Sequence, residues 1–344
     1  EFFGFENILS YDSTKIIENT TLANTSGILK WTLYLRPEWS IKFSLAKTKY
    51  DSNHNSKLIN SSLTPNEYEQ SVYEDNTFTD EILTIYQNIR SLKNHHFQVG
   101  YSHSIFNSDF NTQRILTESS EKNRLVQKAS LRAIFLEDKW SISKNIKLRL
   151  GIRNTYFSKN NSSYLEPRIS ATMKVTPNFI FEGALGKNNQ FIHQFNSPLS
   201  TRGTQGTWLI SQKQIPVVSS FSSQISSHWK VHKHEYSISF YQRSSEGHFN
   251  FEKYLSPIPI LSEQNEYGHQ YYVESQGKEK INGAEILIRK RNSLINGWIS
   301  YHFNETKYSF PNINNGNLYK ADHDLRHEFK SVLITSILNW DVTT

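Results

Sequence analysis

The sequence predicts an all-β protein, an antiparallel up-and-down transmembrane β-barrel. Three observations predict it. Apolar and polar residues alternate with period two along most of the 344 residues. Little of the chain has the 3.6-residue rhythm of an amphipathic helix. The connections between runs are alternately short and long, as in barrels with tight periplasmic turns and long extracellular loops.

The runs carry the alternation in order. Trp31, Leu33 and Leu35 alternate with Lys30, Thr32 and Tyr34, and Trp39, Ile41, Phe43 and Leu45 with Ser40, Lys42, Ser44 and Ala46. Ile146, Leu148, Leu150 and Ile152 alternate with Lys147, Arg149, Gly151 and Arg153, and Tyr236, Ile238 and Phe240 with Ser237, Ser239 and Tyr241. Between Tyr164 and Val175 the faces are again distinct: Ile169, Ala171, Met173 and Val175 on one parity, Arg168, Ser170, Thr172 and Lys174 on the other. In a membrane barrel the first set faces lipid and the second the lumen.

Short links are expected at Arg36–Glu38, Lys93–Asn94, Ser143–Asn145, Thr176–Asn178, Lys230–His232 and Asn292–Ser293. Long polar links are expected at Asp51–Thr79, Asn107–Arg124, Lys187–Val217, Ser245–Gln276 and Asn304–Leu325, with a shorter one at Lys159–Ser163. Runs of roughly 10 to 16 residues exceed the ~9–11 that cross a bilayer when tilted. From Phe2–Tyr11 to Arg326–Trp340 they number about fourteen, an even count of the kind bacterial barrels have. Trp39, Tyr50, Trp140, Tyr156, Phe157, Trp229 and Trp340 stand near strand ends, where an aromatic girdle belongs.

Composition agrees with one dry and one wet face. Hydrophobic residues make up 36% and aromatic residues 13%, with 18 Tyr, 21 Phe and 7 Trp. Mean hydropathy is −0.60, yet so much aromatic mass argues against disorder. Lysine and arginine exceed aspartate and glutamate by 38 − 32 = 6. The cations are spread rather than massed, so a nucleic-acid partner is not expected. Without cysteine there is neither a disulfide framework nor a thiolate metal site. No apolar run reaches the ~20 residues of a transmembrane helix. No signal peptide is evident and the chain starts at Glu1, which fits a processed chain or a fragment.

The stretch "LEPRISATMKVTPNFIFEGALGKNNQFIHQF", with Glu166, Pro167, Arg168, Asn189, Gln190, Phe191, Ile192 and His193, resembles the mid-barrel segment of TonB-dependent outer-membrane receptors. Residues 136–157 resemble the hairpin before it, and a loop with Trp208 and Pro216 follows it. Residues 280–310 are similar to the family's hairpin of a Gly-hydrophobic-Glu strand and a Gly-Trp strand. Asp324, Arg326 and His327 stand in its Asp-x-Arg-His motif. The resemblance covers residues 125–340 well and the first 120 more loosely.

It implies a Gram-negative outer-membrane receptor that captures an extracellular siderophore, vitamin, oligosaccharide or peptide and imports it with TonB-supplied energy. The implied partners are outer-membrane lipid, a plug domain, the TonB complex, the small ligand and a surface lipoprotein; no cofactor is implied. Family barrels have 22 strands, so residues 1–344 are expected to be a partial barrel domain, without plug or signal peptide and with further strands behind it.

Other chemistries are weaker. His323 and His327 share strand parity but stand roughly 13 Å apart at about 3.3 Å per residue. His232 and His234 share a face if extended, and His95 and His96 adjoin a turn; none supplies the four converging ligands of a zinc site. Gly203–Trp208 lacks the lysine and the strand–helix context of a phosphate loop. No G-x-S-x-G elbow occurs, and Glu74–Asp75 and Glu137–Asp138 would point to opposite faces of a strand. An enzyme is therefore not expected, although a barrel enzyme or a soluble or surface β-protein that binds glycans are the alternatives. Ligand binding is expected in the long loops, at Gln190, His193, Gln194, Arg202 and Trp208, and at Phe249, Phe251, Tyr254, Tyr267, Tyr271 and Tyr272. Aromatic planes beside hydrogen-bonding groups suit a sugar, an iron chelate or a peptide.

Overall fold

A computed structural model of the chain describes residues 2–343 apart from 12–13, 61–67, 91–92, 117–118, 197–205, 214, 253–271, 292–294, 322 and 338–339. The strands are β1 (Phe2–Tyr11), β2 (Thr14–Arg36), β3 (Trp39–Asn60), β4 (Tyr68–Ile89), β5 (His95–Leu116) and β6 (Ser119–Ser141). They continue with β7 (Ile146–Phe157), β8 (Ser162–Thr176), β9 (Phe179–Gln190), β10 (Ile192–Asn196), β11 (Gly206–Ile210) and β12 (Val218–Val231). The last are β13 (His234–Glu252), β14 (Tyr272–Lys290), β15 (Ile295–Ser309), β16 (Tyr319–Lys320), β17 (His327–Ile337) and β18 (Trp340–Thr343).

One sixteen-stranded sheet runs β1 to β9, then β12 to β15, β17 and β18, with β16 attached to β15 and a separate hairpin of β10 and β11. Each strand on that path is antiparallel to the next, the meander the sequence predicts. The main strands up to β17 are the fourteen counted from the sequence, and β18 adds four residues. β1 and β18 are the two edges and do not pair with each other, so the sheet is an open, partial barrel.

The two faces invert the pattern of a soluble protein. Leu150 pairs with Ile169, and Ile169 with Leu185; these share a face with Ile134 and Phe240, and Ile134 is 65% exposed. The opposite face buries Ser102, Thr155 and Ser226 instead. An apolar face bare of protein is a lipid face. From Leu165 to Val175 along β8, about 3.3 Å per residue at a tilt near 40° gives roughly 25 Å, the height of a barrel's apolar band.

The tight turns fall at one end. Pro37–Glu38, Lys93–Asn94, Pro177–Asn178 and His232–Lys233 are turns, Asn94 and His232 taking the left-handed conformation with φ of 68° and 54°. At the other end the sequence reading needs correction. Much of Asp51–Thr79 and Asn107–Arg124, expected to be loop, is strand: β3, β4, β5 and β6 each run 22 or 23 residues. Beyond the bilayer both faces are wet, so the alternation that marks a strand fades while the backbone still needs partners.

Between β9 and β12 the chain turns inward. β11 touches β4, β5 and β6, which precede β9 by three to five places in the sheet. It does so on the lumenal parity, where Phe78, Phe106, Ala129, Phe157, Phe191 and Ile210 form a buried cluster. The hairpin is thus a chord across the curved wall, and the main apolar core lies beneath it.

Candidate ligand-binding site

The lumenal vestibule at the long-strand end is built from β4, β5 and β6 below and the β10–β11 hairpin above. β10 and β11 pair through Ile192–Ile210, His193–Leu209 and Gln194–Trp208. Two strands alone are marginal in water, and this pair is held by the wall. Trp208 lies 5.8 Å from the Phe78 ring and meets Tyr50 edge-on at 6.2 Å. Phe191, just before β10, packs at 5.1 Å from both Phe157 and Tyr164.

Three lumenal side chains on three neighbouring strands hold the outer edge of β11. Asn76 of β4 accepts the Trp208 N–H through Oδ1 at 3.0 Å. Ser108 of β5 donates to the Trp208 carbonyl at 2.7 Å. Gln127 of β6 accepts the Ile210 N–H at 3.0 Å and donates to the Ile210 carbonyl at 3.2 Å. All three side chains are buried, and together they do what a neighbouring strand would do.

The sequence-predicted residues divide. Gln190 ends β9, exposed, its Nε2 donating to the Ile192 carbonyl at 2.8 Å. His193 is buried: its Nε2 lies 2.9 Å from Ser211 Oγ and 3.1 Å from the Pro216 carbonyl, and its ring meets Phe249 edge-on at 5.1 Å. Burial pushes its pKa down to about 4, with the nearby His248 adding to the fall and the Pro216 carbonyl opposing it. Trp208 is half-buried in the Phe78 cluster, and Gln194 is exposed. Arg202, Tyr254, Tyr267 and Tyr271 lie outside the described residues; Phe251 and Tyr272 are described only as strand positions in β13 and β14.

Phe249 reaches His193 because β13 bulges. Its register with β14 shifts between Glu246 and His248, where Gly247 has a φ of 91°. A Cβ there would stand 2.5 Å from the Val217 carbonyl oxygen, so both space and backbone favour glycine.

Deeper in the lumen, Glu166 of β8 is buried and accepts the Asn189 N–H at 2.8 Å and the Thr155 hydroxyl at 3.2 Å, with the Arg153 guanidinium at 3.6 Å. Toward the short-turn end a lumenal recess of about 600 Å³ is lined by His96, Lys139, Lys147, Arg149, Glu182 and Gln224. A groove of about 580 Å³ bounded by Leu136, Ile152, Ile169, Leu185 and Phe221 is on the lipid face and almost wholly apolar. Among the described residues no group of three or more His, Asp or Glu is placed to hold a metal ion. His323 stands in the turn before β17, against Tyr308, and His327 opens the strand, stacked on Tyr301.

Asp324 and Arg326 of the Asp-x-Arg-His motif anchor the connection from β15. Asp324 accepts the buried Thr306 N–H at 2.8 Å, and Arg326 reaches Asp324 and Glu305 at 3.3 Å. That hydrogen bond, then the charges of Arg326 and Lys320, hold the Asp324 carboxyl below its ordinary pKa. Asn76, Ser108 and Gln127 are absent from the sequence reading. Their only signal is lumenal parity, which they share with many serines and threonines.

A family model described as TonB dependent receptor-like, beta-barrel matches residues 3–326. No curated protein matches the chain. Among solved structures it is similar to the RagAB peptide importer in its closed-closed state, with TM-score 0.53 and 12% identity over 97% of this chain and 44% of that one. The FrpB iron transporter from Neisseria meningitidis gives TM-score 0.52 and 10% identity over 99% and 65% of the two chains. The alcaligin outer-membrane receptor FauA from Bordetella pertussis gives 0.50 and 12% over 94% and 60%. The chain thus spans less than two thirds of the length of each, and the likeness is one of fold.

Proposed function

The chain belongs to the TonB dependent receptor-like β-barrel family, and from that premise we propose that the protein captures an extracellular ligand in the lumenal vestibule and passes it inward with TonB-supplied energy. Its place is the outer membrane of a Gram-negative bacterium, where the exposed apolar face meets lipid. The family is one of receptor barrels, and no enzymatic activity is proposed for the chain.

One observation supports the capture step: the β10–β11 hairpin is folded into the lumen at the long-strand end and docked on β4, β5 and β6. It narrows the vestibule on the side where ligand would arrive. Gln190, Arg202, Trp208, Tyr267, Tyr271 and Tyr272 are the residues proposed to meet the ligand; buried His193 is proposed to hold the hairpin. The lumenal recess with Lys139, Lys147 and Arg149 is proposed to face a plug domain. A surface lipoprotein is also proposed as a partner, and a peptide, the cargo of the similar RagAB importer, is among the candidate ligands.

The test is uptake by cells carrying the whole receptor, supplied in turn with labelled ferric siderophores, cobalamin, oligosaccharides and peptides. Accumulation of one class is expected, and a protonophore should stop it while leaving surface binding intact. Accumulation that survives the protonophore, or none with any class, would overturn the proposal.

A further inference from the structure

We propose that Asn76, Ser108 and Gln127 form a clamp for the main chain of an extended peptide, occupied in this structure by the protein's own strand β11. The proposal rests on the receptor reading above and adds the ligand's chemical class.

The clamp reads main chain rather than side chain. The four groups it engages are the N–H and C=O of Trp208 and of Ile210, two residues apart, the spacing at which an extended strand turns both groups to one side. The odd-numbered neighbours face the other way: Leu209 pairs with His193, and the Ser211 N–H bonds the Phe191 carbonyl. Peptides are recognised in the same manner when they add a strand to a sheet edge. Here the edge is replaced by an amide, a hydroxyl and an amide on three adjacent strands. Below them Phe78, Phe106 and Ala129 form an apolar floor that receives the side chains at the two clamped positions.

β11 is an imperfect occupant. Gln127 is matched at both ends, but the Asn76 Nδ2 donor is buried and has no hydrogen-bond partner among the described residues. Burying an unmatched donor is costly. A strand seated slightly differently could give it a carbonyl, and no other group in the clamp need change. The hairpin is also a short two-stranded unit that depends on the wall for its stability. Its exchange for a ligand strand would swap like for like in hydrogen bonds. Trp208 then holds the place of a ligand's bulky side chain until the hairpin opens.

The probe is a fluorescein-labelled peptide with the sequence of residues 206–211, Gly-Thr-Trp-Leu-Ile-Ser, titrated by anisotropy against de-energised outer-membrane vesicles carrying the full chain. Ile210→Pro removes the N–H that Gln127 accepts and loosens the docked strand without touching the clamp. It is expected to tighten peptide binding about tenfold, because a larger fraction of the site is open. Adding Gln127→Ala to it should abolish the gain, and the peptide N-methylated at its Trp and Ile nitrogens should bind at least about tenfold more weakly. Equal binding of the methylated peptide, or no gain from Ile210→Pro, would overturn the clamp. Should that variant fail to fold, the unsubstituted chain decides: saturating peptide must speed hydrogen exchange at the Trp208 and Ile210 amides, and unchanged exchange overturns it. Binding without energy is read separately from uptake. A receptor that imports some other ligand therefore keeps its function and loses only the clamp.

Discussion

Gln127 on β6 holds both main-chain groups of Ile210: its Oε1 accepts the Ile210 N–H at 3.0 Å, and its Nε2 donates to the Ile210 carbonyl at 3.2 Å. The pair is separated by 83 residues, and both partners are buried. One wall side chain thus engages both main-chain groups of a single hairpin residue.

Removing it leaves two buried backbone groups unmatched. Each costs about 1–3 kcal/mol, so Gln127→Ala is expected to weaken hairpin docking by about 3 kcal/mol in all. Hydrogen exchange at the Trp208 and Ile210 amides should speed up by about 100-fold, while exchange along β7 and β8 stays unchanged. Protection retained at Ile210 would show that the apolar floor alone holds the hairpin.

Acid should loosen the same hairpin through His193. Its folded pKa, near 4, lies below the ordinary 6.5, so the undocked state binds the proton more readily. Docking is therefore strongest above about pH 6.5 and weakens as pH falls toward 4, by at most about 3 kcal/mol for a shift of this size. His248 across on β13, the Ser211 hydroxyl and the Pro216 carbonyl are the groups facing the ring. Exchange at Leu209 measured from pH 7.5 to 4.5 should show this loss, and His193→Gln should flatten the profile. A flat profile in the unsubstituted protein would exclude the role.

The lipid face can be tested against its lumenal neighbour. Ile169→Lys puts a charge on the apolar band of β8 and is expected to cost about 2–4 kcal/mol. Thr172→Lys places the same charge on the lumenal side beside Glu182, 3.2 Å from the Thr172 hydroxyl, and should change stability by less than about 0.5 kcal/mol. Urea titration of the barrel refolded in lipid, read from its heat-modifiable band in gels, separates the two. Equal costs would mean that the parity assignment is wrong.

The parity itself was legible because a bilayer enforces it. From Ile146 to Ile152 and from Ile169 to Val175 the lipid-facing positions are readable from residue type, as Leu150 opposite Ile169 shows. Legibility ends where the membrane does. Residues 51–60 and 68–79 have no apolar stripe, yet they pair residue for residue in β3 and β4, with Asp51 opposite Thr77 and His54 opposite Glu74. Their strand character comes from backbone pairing that hydropathy does not record. The site was less legible still. Trp208 and His193 stood out by type, but their partners Asn76 and Phe249 lie 132 and 56 residues away and belong to residue types common on any lumenal wall.

Gly247 ties the far wall to the hairpin. With φ at 91° and the Val217 carbonyl 2.5 Å from any Cβ, Gly247→Ala should cost about 1–3 kcal/mol. The strain relaxes by moving the bulge, so the Phe249–His193 contact is the first to go. Faster exchange at Leu209 in this variant, without change at the Ile286 pairing deeper in β14, is the expected signature. Loss of the whole barrel instead would place the glycine in assembly rather than in positioning.

Asp324 offers a second acid response, distinct from that of His193. The Thr306 N–H and then the Arg326 and Lys320 charges favour its ionised form, so its folded pKa lies below that of the unfolded chain. The stability it contributes is present above about pH 4, the ordinary carboxylate value, and is lost as pH falls through the lower folded value. Between pH 6.5 and 4.5 the hairpin should respond while the β15–β17 connection does not; below pH 4 that connection should follow. Asp324→Asn keeps an oxygen for the Thr306 N–H but gives up the attraction to Arg326, so it should retain protection at Thr306 while losing the second acid transition. Asp324→Ala should lose both, because the buried amide then has no acceptor. Exchange at Thr306 in the two variants across pH 6 to 3 decides whether the carboxylate acts by charge or by hydrogen bond alone. If Asp324→Asn keeps the full acid transition, a group other than the Asp324 carboxyl titrates there, because an amide does not ionise in this range.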